Sequence, residues 1–190
     1  VVQGDAMYKS GVNKFDTFSD FSIVEASIND GDSIVILEEY ADRILQFKKN
    51  KMHLINISQN IEFLEDTFAN KGVSVPSATC KTDYGIAWVN TLGCYLYDGK
   101  KVIDLLEKGG RQIIKESDWA TFTSLEPMIG YLPKKRQLIV VKNKGAAGDG
   151  TAFLYDLVTQ SWVKGIDVAD QKKTNFITDW NGDLVYAHTG

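Results

Sequence analysis

Two histidines, His53 and His188, are the natural starting points for metal or nucleophilic chemistry in this chain of 190 residues. Neither has a His, Cys or Asp beside it at metal-ligand spacing. No GxSxG elbow is present to bring a serine to either imidazole. Carboxylates stand in pairs at Glu38-Glu39 and Glu65-Asp66, but neighbours along a strand point to opposite faces, so neither pair makes an acid and base couple. The stretch Gly145 to Gly150 has the glycine content of a phosphate cradle. No Lys-Ser/Thr follows it, however, and Thr151 to Asp156 reads as a strand rather than a helix, so a hairpin tip is expected. Its lone acid, Asp149, falls short of the alternating acids of a calcium loop. Asn56-Ile57-Ser58 matches the glycosylation acceptor pattern, a short match that arises by chance. These residues therefore nominate no catalytic, cofactor or metal site, and a non-enzymatic protein is expected.

Composition narrows the class further. Apolar residues make up 44% and charged residues 24%, and 21 basic against 25 acidic side chains leave a net charge of −4, the balance of a globular domain without the cationic excess of a duplex binder. The longest aliphatic runs, Ile34 to Leu37 and Leu138 to Val141, are four residues each, against the roughly 20 of a membrane-spanning helix. Two cysteines, Cys80 and Cys94, are too few for a disulfide framework. A single domain over 1–190 is expected. The opening at Val1 and the stop at Gly190 after a strand-like run read as a piece of a longer or processed chain.

The elements that would position any site are short runs rich in Ile, Val, Tyr, Phe and Trp, punctuated by Gly, Asn and Asp, which is all-β grammar. One strand-turn-strand unit recurs four times, at Ala6 to Phe15, Leu54 to Phe63, Leu96 to Leu105 and Leu154 to Val163. With Tyr8, Ile55, Tyr97 and Tyr155 as equivalents, the steps are 47, 42 and 58. A second hairpin recurs with turns near Tyr40, Tyr84, Pro133 and Trp180, at steps of 44, 49 and 47. The loop Lys142 to Gly150 accounts for the long step. A four-stranded unit repeating at about 40 to 50 residues is the signature of a β-propeller blade. The order predicts about four blades, either closed by pairing residues 1 to 18 with Thr174 to His188 or forming part of a larger propeller.

Ile86 to Val89, Leu138 to Val141 and Leu184 to Ala187 read as strands covered on both faces, while Lys51 to Ile57 reads as an outer strand. Asn181-Gly182 predicts a two-residue hairpin turn. The connection Leu106 to Glu126 should hold a short helix capped by Ser117 or Asp118 and carrying Trp119, Ala120 and Phe122. The clusters Lys48-Lys49-Lys51, Lys100-Lys101, Lys134-Lys135-Arg136 and Lys172-Lys173 read as solubilising turn tips. Trp88, Trp119, Trp162 and Trp180 read as packing between blades. Cys80 and Cys94 should lie on two strands separated by a third, unbridged.

With these units placed, the segments AMYKSGVNKFDTF, RILQFKKNKMHLINISQNIEFLED, GIAWVNTLGCYLYDGKKVIDLL, PMIGYLPKKRQLIVV and LYDLVTQSWVKG carry a resemblance. The chain resembles β-propeller-like virion structural proteins of tailed bacteriophages, in particular marine ones. The likeness is to a style of blade and linker and transfers no site residue. It implies a tail or head-to-tail connector component acting as a protein-protein scaffold. It also implies virion localisation after assembly in the host cytoplasm, with other virion proteins, or the chain itself in a ring, as partners. The alternative is a glycan-binding, lectin-like propeller that recognises a host surface. No sequence-specific nucleic-acid binding, no membrane and no cofactor are expected.

Overall fold

Short apolar runs separated by turn residues satisfy their backbone groups only by pairing with neighbours. In the computed structural model every described strand pairing is antiparallel, so the fold is all-β. Residues 2–24, 26–27, 30–59, 61–142, 150–169 and 173–188 are described. The glycine-rich loop over 143–149, with Asp149, lies outside the described residues, as does Lys172. The chain divides into two compact units, Val1–Val73 and Ser74–Gly190.

In the first unit, β1 (Val2–Gln3), β2 (Ala6–Ser10) and β3 (Phe18–Val24) form one sheet in that order. The strand-turn-strand expected within residues 6 to 15 is longer than the spacing implied. A turn closes from the Lys14 N–H to the Gly11 carbonyl, and the chain pairs again only when Phe18 comes opposite Ser10. The second sheet is a meander of β4 (Ile34–Tyr40), β5 (Arg43–Lys48), β6 (Lys51–Asn56) and β7 (Phe63–Ala69). Residues Lys51 to Ile57 were expected to form an outer strand. Instead β6 is flanked by β5 and β7, and Met52 to Asn56 are buried. Its polar residues, which suggested an edge, are accommodated sideways: His53 Nδ1 lies 2.8 Å from Thr67 Oγ1, and Asn56 Nδ2 donates to Glu65.

The β5–β6 turn is held by two aspartates from the connection before β4. Asp32 accepts the Lys49 and Asn50 N–H groups at 2.9 Å each. Asp30 binds Lys48 Nζ at 2.9 Å and Lys51 Nζ at 2.7 Å. Lys48 also donates to the Ser27 carbonyl at 2.7 Å, and its side chain is wholly buried. The lysine read as a solubilising turn tip is therefore an internal cation, because the carboxylate that neutralises it arrives from a distant segment. Hydrogen bonds from Lys51 and Ser27 hold the Asp30 carboxyl far below the ordinary carboxylate range, against the opposing effect of burial.

The second unit begins with a 3-10 turn (Pro76–Ala78), then a meander of β8 (Thr79–Thr82), β9 (Gly85–Asn90), β10 (Gly93–Tyr97) and β11 (Val102–Asp104). Gly85 sits at φ +138°, and a Cβ there would lie 1.8 Å from the Tyr97 carbonyl oxygen, so the register of β9 on β10 requires glycine. A small hairpin, β12 (Glu107–Lys108) with β13 (Arg111–Gln112), leads into α1 (Glu116–Phe122). The expected helix is there, but its N-cap is Lys115, and no side chain caps it. Ser117 and Asp118 lie one turn too late because Ile113 and Ile114 lead directly into the helix.

A third meander follows, of β14 (Met128–Leu132), β15 (Gln137–Val141), β16 (Gly150–Asp156) and β17 (Ser161–Ala169), and then the hairpin β18 (Lys173–Thr178) with β19 (Leu184–His188). The β14–β17 sheet is covered on both faces. On one, Met128, Ile139, Val141 and Ala152 pack with Phe176 and Leu184, and Gly130 leaves room for the Phe176 ring, since a Cβ would fall 2.8 Å from it. On the other, Phe153 and Trp162 pack against Trp119 and Phe122 of α1 at centroid separations of 4.7 to 5.8 Å, with Tyr155 against Trp162 at 4.9 Å.

Ile86 to Val89 and Leu138 to Val141 are buried as expected. The run Leu184 to Tyr186 is only partly buried: Leu184 packs with Phe176 against the β14–β17 sheet, while Val185 is 43% and Tyr186 41% exposed. The expected pairing of residues 1 to 18 with Thr174 to His188 is not among the described ladders, in which β1–β3 and β18–β19 form separate sheets.

Asp30→Asn is expected to destabilise the chain by about 3 kcal/mol in urea unfolding, because it leaves the Lys48 ammonium buried without its counter-charge. Lys48→Met should cost less, since Asp30 keeps Lys51. A carboxyl held low in the fold contributes stability that is present above its unfolded value near 3.9 and is lost as pH falls below it. The acid arm of the stability profile should therefore be shallower in Asp30→Asn.

Candidate functional site

Hairpin tips in this chain are built by one recurring device. A carboxylate or amide at the end of a strand accepts the N–H groups two and three residues on, forming an Asx turn. Asp98 accepts from Lys100 and Lys101, Asp156 from Val158 and Thr159, Asn90 from Leu92 and Gly93, and Asn56 from Ser58. Hydrogen bonds from Thr159 and Val158 lower the Asp156 carboxyl below its ordinary value. Burial works against the same effect at Asp98, where the Lys101 and Lys100 amides still leave the carboxyl lowered. Asn56, Asp98 and Asp156 each follow the strand residue taken as equivalent between repeats. The signal for these turns was therefore present in the aligned copies.

The residues with chemical potential are spent on this framework. Asn56, the glycosylation match, is 6% exposed, with Oδ1 bound to Ser58 and Nδ2 to Glu65. Glu38 and Glu39 face Leu45 and Ile44 of the neighbouring strand, on opposite sides of the sheet. At Glu65 and Asp66 the expected alternation is interrupted, because Glu65 is the extra residue of a bulge between the Ile55–Leu64 and Leu54–Asp66 pairs. Asp66 accepts its neighbour's N–H, from Thr67, while burial opposes but Arg43 and Asn56 outweigh it in holding the Glu65 carboxyl below its ordinary value. His53 is buried, and that burial, with the nearby Lys48 and Lys51 charges, lowers its pKa. Its Nε2 and both amide atoms of Gln46, its cross-strand neighbour, have no partner among the described residues.

Cys80 on β8 and Cys94 on β10 are not disulfide-bonded and have β9 between them, as expected, and burial pushes the Cys94 thiol well up. Among the described residues no three His, Cys, Asp or Glu side chains gather as metal ligands, and no helix is long and apolar enough to cross a membrane.

Two surfaces stand out among the described residues. In the first unit, Phe18 and Val24 of β3, Tyr8 of β2, and Ile44 and Ile55 of the second sheet line a cavity of about 520 Å³. An ion pair between Lys9 and Glu62 spans its mouth, and the Lys9 ammonium lowers the Glu62 carboxyl. The loop before β3 and the strand itself carry uncovered apolar side chains, Val12 at 88%, Phe15 at 87% and Phe21 at 97% exposure, and Ile61, next to Glu62 in the chain, is 78% exposed. Among the described ladders, strand β3 pairs on one side only, with β2.

In the second unit, β8, β14 and β18, the first strands of three of its sheets, lie side by side. Tyr131 on β14 donates to Asp83 in the β8–β9 turn at 2.9 Å, and Thr178 on β18 donates to the Tyr131 carbonyl at 3.0 Å. Their turns therefore share one surface, joined by Lys134 with Asp183 at 2.6 Å. Trp180 stands out of it, 93% exposed. The reading of Trp180 as core fails because the turn is wider than two residues. Asp179 N–H bonds the Asp183 carbonyl, and Gly182, but not Asn181, takes positive φ. This arrangement places Trp180 on the turn itself. Trp88 and Trp119 are fully buried, and Trp162 donates to the Leu105 carbonyl at 2.7 Å.

No family model matches the chain. It is 31% identical over 133 residues to a phosphoribosylamine-glycine ligase of Lactococcus lactis. That match takes in 68% of this chain and 30% of the ligase, so the chain spans less than a third of that protein's length.

Trp180→Phe is expected to remove most of the iodide-quenchable tryptophan fluorescence and to shift stability by no more than about 0.5 kcal/mol, as at other uncovered surface positions. Iodide quenching and urea unfolding of the two chains check both.

Proposed function

We propose that the chain is a non-enzymatic structural component of a tailed-phage virion, in the tail or head-to-tail connection, where it holds neighbouring subunits in place. In this reading the four-stranded sheets are propeller blades. Their first strands begin at residues 34, 79 and 128, with the last hairpin at 173, steps of 45, 49 and 45. The side-by-side first strands of the second unit and the covering of both faces of β14–β17 support it, because radially arranged sheets bury one another in this way. The partners are other virion proteins or further copies of the chain, and the place of action is the virion.

The observation that carries the assembly reading is the uncovered apolar surface of the first unit. Single exposed apolar residues need no explanation, but Val12, Phe15, Phe21 and Ile61 accompany an edge strand and an amphiphilic cavity. An edge strand with aromatic side chains is a template for another chain's strand or surface. A host-surface glycan reader is the second reading, favoured by Trp180, since an aromatic ring on a well-held turn can stack on a sugar face.

Light scattering of the full chain is expected to show a concentration-dependent oligomer. Phe15→Ser, Phe21→Ser and Ile61→Ser together should return it to monomer with an unchanged circular dichroism spectrum. A monomer that instead binds one sugar class on a glycan array, with binding lost in Trp180→Ala, would overturn the assembly reading in favour of the second.

A further inference from the structure

Between α1 and the β14–β17 sheet lies a cleft of about 610 Å³, within the size range of small-molecule sites. Its origin is geometric. Along one face of that sheet run Lys142 at the end of β15, Thr151 and Phe153 on β16, and Lys164 on β17 directly opposite Phe153. The helix packs its Trp119 and Phe122 over the aromatic part of this face, and its N-cap, Lys115, lines the same cleft. The floor of the cleft is thus Phe122 and Phe153, edge to face at 4.7 Å and 89°, backed by Trp119 and Trp162. The walls carry three ammonium groups, from Lys115, Lys142 and Lys164, and one carboxylate, from Asp118. None of the three lysines has an ion-pair partner among the described residues.

We infer that this cleft binds a small amphiphilic anion, an aromatic or aliphatic body bearing a phosphate, sulfate or carboxylate. The body displaces water from a floor whose rings are held from behind, so little ordering is required of the protein. The head group meets three positive charges gathered at one mouth. In a concave, partly apolar setting their field is stronger than that of isolated surface lysines. Aliphatic lysine stems extend the apolar wall up to the charges. The cleft accordingly favours ligands that carry both parts. The inference is independent of the assembly reading, since it concerns a different surface of a different unit.

The test uses the full chain with Trp180→Phe, so that fluorescence changes report on tryptophans near the cleft floor, and three probes: phenyl phosphate, inorganic phosphate and benzyl alcohol. Phenyl phosphate is expected to bind at least tenfold more tightly than either half alone, and more weakly as salt rises. Lys115→Met, Lys142→Met and Lys164→Met should each weaken it by up to about fivefold, and all three together by more than tenfold. Asp118→Asn should tighten it. Lys134→Met, whose ammonium is engaged by Asp183 elsewhere, is the control and should change nothing. Equal binding of phenyl phosphate and inorganic phosphate would overturn the inference. So would unchanged binding in the triple variant, or Asp118→Asn that fails to tighten binding.

Discussion

Everything in the second unit depends on covering a sheet that is apolar on both faces. The β14–β17 meander exposes Met128, Ile139, Val141 and Ala152 on one side and Phe153, Tyr155 and Trp162 on the other, and such a sheet cannot stand alone in water. Each face recruits a different neighbour. The β18–β19 hairpin covers the first, with Phe176 seated over Gly130. The helix covers the second, tied down by Trp119 Nε1 donating to the Asn90 carbonyl at 3.0 Å. Truncating one of these buried aromatics would cost about 3 to 5 kcal/mol by the usual measure of core aromatics. This is why an otherwise all-β chain keeps one short helix.

The first unit solves a polar version of the same problem. Its β5–β6 turn would leave backbone N–H groups and the Lys48 ammonium without partners in a covered region. Asp30 and Asp32 satisfy both from a segment some 18 residues away in sequence. One pair of acids therefore links the approach to the sheet with the sheet's own middle turn. The price of such an arrangement is sensitivity to acid and to loss of either partner. Gln46 and His53, side by side on β5 and β6 with unpartnered polar atoms, lie in the same sheet.

What is left after this framework is satisfied forms the surfaces of interest. Asp98 and Asp156 are occupied as turn acceptors and Glu65 by Arg43 and Asn56, whereas apolar side chains of and before β3, an indole on a hairpin tip and three lysines around an aromatic floor stand open among the described residues. The assembly reading and the anion cleft draw on separate parts of these, one on an edge strand in the first unit and the other on a sheet face in the second.

The residue order alone determined the strands and their grouping. Period-two and continuous apolar runs bounded by Gly, Asn and Asp place hairpins at Tyr40, Tyr84 and Pro133, because backbone pairing between consecutive runs is a local matter. It also determined a helix near Trp119 and the separation of Cys80 from Cys94. Which strand is inner or outer was not legible at Lys51 to Ile57, where polar residues suggest an edge, nor at Leu184 to Tyr186, where apolar residues suggest a core. Burial depends on which other element arrives, and His53 is covered while Val185 is not. The same holds for charge: Lys48 and Lys164 look alike in the sequence, but only the tertiary structure brings Asp30 to the first and leaves the second beside Phe153, because an ion pair or a cleft is made by segments that meet in space.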